Sequence, residues 1–294
     1  MKSNKLAISV AILSLLVVVT MWISILTPHE FSLTFVDVGQ GDGALLKTAG
    51  GRHVLIDAGP MKGKKSTDSK MLDYILSHNI DRIDVVIISH FHDDHYGGII
   101  GIIDTMPVEL LLMPQPLSEA ERTVAGEITA NLPVDSKVVY MKMGEHLDIG
   151  EDVKIEALYQ KGVSDENEKS LVNMVTCYEV KTVFTGDIGA TTESGIVQNL
   201  PSEILDADIV KVAHHGSKYS SSTEFYEQTT PQYAVISVGS NTYGHPTSEA
   251  MDRISSFAQV IRTDESGSVK FRFDKNGIVG TPNEIPWYES ILGN

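Results

Sequence analysis

Hydrophobic and polar positions divide the chain into two unequal parts. Residues 6–26 carry no charge, and Lys2 and Lys5 stand just before them. At about 1.5 Å per residue, a helix over this run spans the roughly 30 Å hydrocarbon core of a bilayer. The pattern therefore predicts an N-terminal membrane anchor over 1–27. Lysines on the short side place that side in the cytoplasm and the rest of the chain outside, as a single-pass protein of the cell membrane. The competing reading is a signal segment cleaved to leave a secreted domain, although 20–28 offer no clear small-x-small cleavage site.

From residue 31 the period changes. Alternation over 31–36 and apolar runs at 53–59, 85–88 and 109–113 read as strands, while 70–79, 97–106 and 119–131 have helical spacing. Further strands are expected at 137–143, 153–159, 171–179, 182–187, 208–212, 233–238, 260–263 and 269–273. Helices are expected at 193–199 and 248–257, with another opening near 220–226, and a charged loop fills 161–169. No repeat and no Pro/Ser linker interrupts 28–294, which predicts one domain of mixed α/β class. Reactive residues recur where its strands end, the place where open sheets present their loops and sites.

The densest of these places is Ser89-His90-Phe91-His92-Asp93-Asp94-His95-Tyr96-Gly97-Gly98. Packed imidazoles and carboxylates repel or stay unpaired unless something binds them. Nitrogen and carboxylate donors without a thiolate suit zinc, and leave manganese or iron open. The helical spacing behind the cluster puts it at a helix N-terminus, which also favours anions. Other strand ends add Asp57 in Leu-Ile-Asp-Ala-Gly, placed to orient a ligand imidazole. They also add Asp187 in Thr-Gly-Asp, His214 and His215 in Ala-His-His-Gly-Ser, and His245 in Tyr-Gly-His-Pro. Asp37 and Asp42 lie in a turn whose glycines allow close backbone approach.

Composition narrows the partners. A length of 294 residues allows a sizeable core, and the formal net charge of −16 gives no general attraction to nucleic acid. Any polyanion must be held by a metal and by local groups. The one cysteine, Cys177, lies in an apolar run, which reads as a buried thiol and excludes an internal disulfide.

His90-x-His92-x-Asp94-His95 before Gly97-Gly98, with Asp57 upstream and Asp187 downstream, resembles the metallo-β-lactamase superfamily, whose fold is a four-layer αββα sandwich. Phe35-Val-Asp-Val-Gly-Gln-Gly-Asp42, Ala213-His-His-Gly-Ser217, Tyr243-Gly-His-Pro246 and Arg262-Thr-Asp264 before Gly267 narrow the resemblance to the extracellular hydrolase domain of ComEC-type competence proteins. The resemblance covers about residues 31–280. It implies a metal-dependent hydrolase domain over 28–294 that holds two divalent ions, zinc or alternatively manganese. His90 and His92 would ligate the first ion, Asp94 and His95 the second, and Asp187 would bridge. His215 is the implied last ligand of the second position, with His214 as the alternative or as a neighbouring proton donor. Asp94 or Asp187 would hold the attacking water, and His214, His245 or Ser217 would meet the phosphate or the leaving oxygen. Asp37, Asp42, Asp57 and Ser217 would support the ligands.

One departure stands out. Where the superfamily places the third histidine of its first metal, this chain reads Asn167-Glu168-Lys169-Ser170, so the first position is expected to be the weaker. His146 lies earlier, in an expected turn, and does not replace it. The function implied is a phosphodiesterase or nuclease acting on DNA or another phosphodiester outside the cytoplasm. The alternatives are an esterase for carboxylic esters, lactones or phosphocholine esters of the cell envelope, or a non-catalytic DNA-binding module of a competence system. The expected partners are the membrane, DNA or an envelope phosphodiester, and a separate channel protein.

Overall fold

A computed structural model describes residues 10, 12–19, 22, 31–63, 65–150, 153–160 and 165–280. The chain separates into two compact units, 1–30 and 31–294. In the first, residues 10, 12–19 and 22 are helical. Among the described residues no helix is long and apolar enough to cross a membrane. The expected single-pass localisation is thereby corrected: the helical residues described fall short of the roughly 20 that a span requires. The rest of the 1–27 segment lies outside the described residues.

The second unit is built on two sheets. The first contains β1 (Phe31–Phe35), β2 (Gly43–Lys47), β3 (His53–Ala58), β4 (Ile83–Ile87), β5 (Val108–Met113), β6 (Lys137–Tyr140), β14 (Val269–Asp274) and β15 (Gly277–Gly280), in the order β15-β14-β1-β2-β3-β4-β5-β6. The second contains β7 (His146–Ile149), β8 (Val153–Tyr159), β9 (Val172–Cys177), β10 (Val180–Phe184), β11 (Ile209–Lys211), β12 (Tyr233–Ile236) and β13 (Gln259–Arg262), in the order β13-β12-β11-β10-β9-β8-β7. Strand alternation sends Phe31, Leu33 and Phe35 into the space between the sheets, where they meet Ile155, Val175 and Phe184 in one buried cluster.

Helices close the two outer faces. On the first sheet, α1 (Lys70–Ser77), α2 (Asp93–Thr105) and α3 (Glu119–Ala130) bury Met71, Ile75, Ile99, Ile102 and Ile128 against Leu55 and Val86. On the second, α4 (Ala190–Asn199), α5 (Ser202–Leu205), α6 (Thr223–Thr229) and α7 (Ser248–Ile254) bury Ile196, Leu205, Phe225 and Ile254 against Val183 and Val210. The layers are therefore helix, sheet, sheet, helix. α3 starts at a capping box in which Ser118 and Glu121 satisfy each other's backbone N–H groups.

Several boundaries differ from the periodicity. α2 begins at Asp93, so the histidine cluster runs into its first turn, and α4 begins at Ala190 instead of 193. The expected turn around His146 is strand β7, and 167–169 form a short 3₁₀ turn inside the charged loop, of which 161–164 lie outside the described residues.

Candidate metal centre

β3 and β4 run side by side in parallel pairing; Asp57 sits near the end of β3, and the loop after β4 carries the histidine cluster. Asp57 adopts φ 53, a left-handed conformation that turns its carboxylate back beneath the cluster. That carboxylate accepts from the Ser89 backbone N–H at 2.8 Å, the Ser89 hydroxyl at 2.6 Å and His95 Nδ1 at 2.9 Å. With its Nδ1 proton donated to Asp57, His95 presents the lone pair of Nε2 inward. Asp57 is fully buried; burial pushes its carboxyl upward, and the donation from His95 opposes it.

The second sheet supplies the opposite wall. β10 leads through Thr185 and Gly186 to Asp187, and β11 leads to His214 and His215. These two histidines sit at φ 50 and φ 52, a strain of roughly 1–3 kcal/mol each for residues with a Cβ. The turn buries His215 and leaves His214 partly exposed. His215 Nδ1 bonds the Ser237 carbonyl at 2.8 Å, which aims Nε2 at Asp94 Oδ2 and Asp187 Oδ2, each 3.3 Å away.

Four donors converge. Ligand atoms of Asp94, His95, Asp187 and His215 all lie within 4.8 Å of one another. A second group, Asp42, Asp57 and His95, shares that histidine. His95 Nε2 stands 3.4 Å from Asp187 Oδ1. Yet the Nε2 atoms of His90, His95 and His215 and Oδ1 of Asp187 are buried without a hydrogen-bond partner. Buried polar atoms are ordinarily satisfied, and those of His95, His215 and Asp187 belong to the converging group. The residues present thus fit a divalent cation. Without one, the field falls on protons: although burial works against it, Asp187 raises both His95 and His215 well above the usual imidazole range. Burial likewise resists charge on Asp94, but His215 brings its pKa down to about 2.

The first position is less complete. His90 is buried, its ring tilted against that of His95 with centroids 4.1 Å apart, while His92, part-exposed, pairs with Glu166 at 2.8 Å. Where a third histidine was missing, Ser170 is buried. Its hydroxyl donates to the Asn167 carbonyl at 2.8 Å and accepts the Asp187 N–H at 3.1 Å. A side chain on Gly186 would collide with Ser170, whose Cβ lies 2.7 Å from the position a Cβ there would take. Ser170 therefore fixes the loop that carries Asp187.

Among the supporting residues, Asp42 is buried and pairs with Lys211, whose ammonium also lies 3.8 Å from Asp187. Asp37 instead pairs with Lys70 at 3.0 Å on a more exposed side. Ser217 is buried and accepts from the Tyr219 N–H at 3.3 Å, within its own loop. His245 stands outside, its ring 5.4 Å from that of His214, whose Nε2 is 4.0 Å from Asp187. Sequence reasoning passed over Ser89, Glu166, Ser170 and Lys211. A lysine inside the apolar run Ile209-Val210-Lys211-Val212 was the available signal, since a buried lysine requires a counter-charge.

Two sheets with flanking helices and a His/Asp centre at their strand ends define a class, and residues 36–240 match the Metallo-beta-lactamase superfamily. The chain belongs to that superfamily and has its metal-dependent hydrolase fold, with Asp94, His95, Asp187 and His215 as candidate metal-binding residues. Within it, the similarity is to competence proteins. The chain is 27% identical to ComE operon protein 3 of Bacillus subtilis over 281 residues, 89% of this chain and 35% of that protein. It is 28% identical to competence protein ComA of Neisseria gonorrhoeae over 253 residues, 85% of this chain and 33% of that protein. The chain thus spans about a third of the length of these relatives. Among solved structures, the diiron β-hydroxylase CmlA of Streptomyces venezuelae superposes with a TM-score of 0.57 at 16% identity, over 84% of this chain and 55% of that one. That likeness is one of fold.

Proposed function

We propose that this chain is a metal-dependent phosphodiesterase that cuts DNA. The observation that carries the reading is the convergence of Asp94, His95, Asp187 and His215 around buried, unpartnered imidazole nitrogens. The similarity to competence proteins turns the choice of substrate toward nucleic acid.

In this reading His95, His215 and Asp94 would hold the tighter ion, His90 and His92 would serve the weaker position, and Asp187 would contribute to both. Zinc or manganese suits these nitrogen and oxygen donors. A bound divalent ion supplies a Lewis acid and lowers the pKa of water toward neutrality. Asp57 and Ser237 keep the two key imidazoles in the tautomer that leaves Nε2 free. Ser170 and Lys211 hold Asp187 in place. Water oxygen attacks phosphorus, the bond from phosphorus to the leaving oxygen breaks, and a proton passes to that oxygen. His214 and His245, at the open side, are the rings positioned to meet the phosphate or deliver the proton.

The test is turnover by the purified full chain loaded with zinc or manganese. Its substrates are bis-p-nitrophenyl phosphate, single-stranded DNA and p-nitrophenyl acetate. Diester and DNA cleavage are expected, abolished by Asp187→Ala and His215→Ala and by chelator. Acetate cleavage alone would replace the reading with an esterase. No turnover with metal bound would leave a binding module, and diester cleavage indifferent to Asp187→Ala would discard the site.

A further inference from the structure

The loops at the open side of the centre each hold out an uncovered tyrosine. Phe31, Phe35, Phe225, Tyr226, Phe271 and Phe273 are buried, whereas Tyr243 is 74% exposed and Tyr219 is 72% exposed. Neither sits on slack chain. The Asn241 side chain gathers the Tyr243 loop: its amide donates to the carbonyls of Gly239 at 2.9 Å and His245 at 2.8 Å. Its oxygen accepts from the N–H groups of Tyr243 and His245, both at 3.1 Å. On the other loop, Arg253 donates to the carbonyls of Ser220 at 2.8 Å and Ser221 at 2.6 Å, and Glu193 accepts from Ser221 and Ser222. The loops also touch, through the Thr247 N–H and the Gly216 carbonyl at 2.9 Å.

A short path joins the outer ring to the metal ligands. Tyr243 lies 5.9 Å from His245, His245 lies 5.4 Å from His214, and His214 Nε2 lies 4.0 Å from Asp187. Beside Tyr219, the Lys218 ammonium stands 5.0 Å over the ring, a cation that suits a polyanion. Rigid aromatic faces of this kind lose little entropy on binding.

We propose that Tyr243, with Tyr219 and Lys218 as a second platform, stacks the bases of a single-stranded nucleic acid whose phosphodiester enters the metal centre. This rests on the phosphodiesterase reading and names the form of its substrate. The charge balance agrees with it. At a net charge of −16 the chain gains little from counterion release, the force that dominates duplex binding. Base stacking is indifferent to that charge and requires the exposed faces of unpaired bases.

The experiment compares a thymidine oligomer with an abasic oligomer of equal length, using the metal-loaded full chain. Where the oligomers are cut, kcat/KM is read; where they are not, Kd is read by fluorescence anisotropy, so that a failure of the phosphodiesterase reading leaves the stacking question answerable. The thymidine oligomer should be favoured. Tyr243→Ala should weaken it by about fivefold to a hundredfold, the range that one stacked base supplies, and leave the abasic oligomer unchanged; Tyr243→Phe should retain the preference. Equal use of both oligomers by the native chain overturns the proposal. So does an equal loss on both in Tyr243→Ala, or a Tyr243-dependent affinity for N-acetylglucosamine hexamer in place of thymidine.

Discussion

Substituting Asp57→Asn isolates what a carboxylate beneath the centre contributes. Asparagine tolerates the left-handed backbone of this position, so the turn at φ 53 survives. The Ser89 N–H, 2.8 Å from Oδ1, selects the amide oxygen for that side. The amide NH₂ then occupies the place of Oδ2, against His95 Nδ1 at 2.9 Å. Two donors face each other there, and His95 is relieved only by moving its proton to Nε2. That nitrogen is the one aimed at Asp187, 3.4 Å away, and it must be unprotonated to bind a metal. Loss of such an orienting partner lowers metal affinity by about 10- to 100-fold, equivalent to about 1.4–2.7 kcal/mol. Competition against a chromophoric chelator measures it, with circular dichroism to show that the fold persists. An affinity within twofold of the native chain, in a folded protein, would refute the tautomer argument.

Two other outcomes follow from buried groups that are not metal donors. Lys169 and Glu121 form a buried ion pair at 2.6 Å, so Lys169→Met should destabilise the domain by about 1.5–3 kcal/mol in urea unfolding, because the carboxylate keeps only the N–H groups of Leu117 and Ser118. Burial pushes the Cys177 thiol up to about 12, so at pH 8 only about one molecule in 10⁴ carries the thiolate, and a disulfide reagent should label the chain only after unfolding.

Much of the domain follows from local pattern. The runs leading to Asp57 and His215 are apolar over one face, and that leading to Asp187 is rich in β-branched and aromatic residues, so their ends locate the ligand loops. β7 escaped notice because its alternation runs over only four residues, His146 to Ile149, two of them polar and exposed, too short a window to separate a strand from a turn. β2 was masked by the glycines around it. Lys211 and Ser170 act only through partners distant in sequence, Asp42 and Asp187, so no window along the chain reveals their roles. Resemblance had favoured His215 over His214, and the backbone turns the His215 ring inward while leaving that of His214 partly exposed.

The two sheets divide the centre between them: His90, His95 and Asp57 follow strands of one, Asp187 and His215 follow strands of the other. During synthesis the first half can therefore complete its own sheet pairings β1 to β6 and still own no working site. The last donor emerges only with residue 215, and β14, which pairs with β1, comes later still. The donors of the first sheet thus wait for those of the second, and any bound ion would join the early sheet of the domain to the late one.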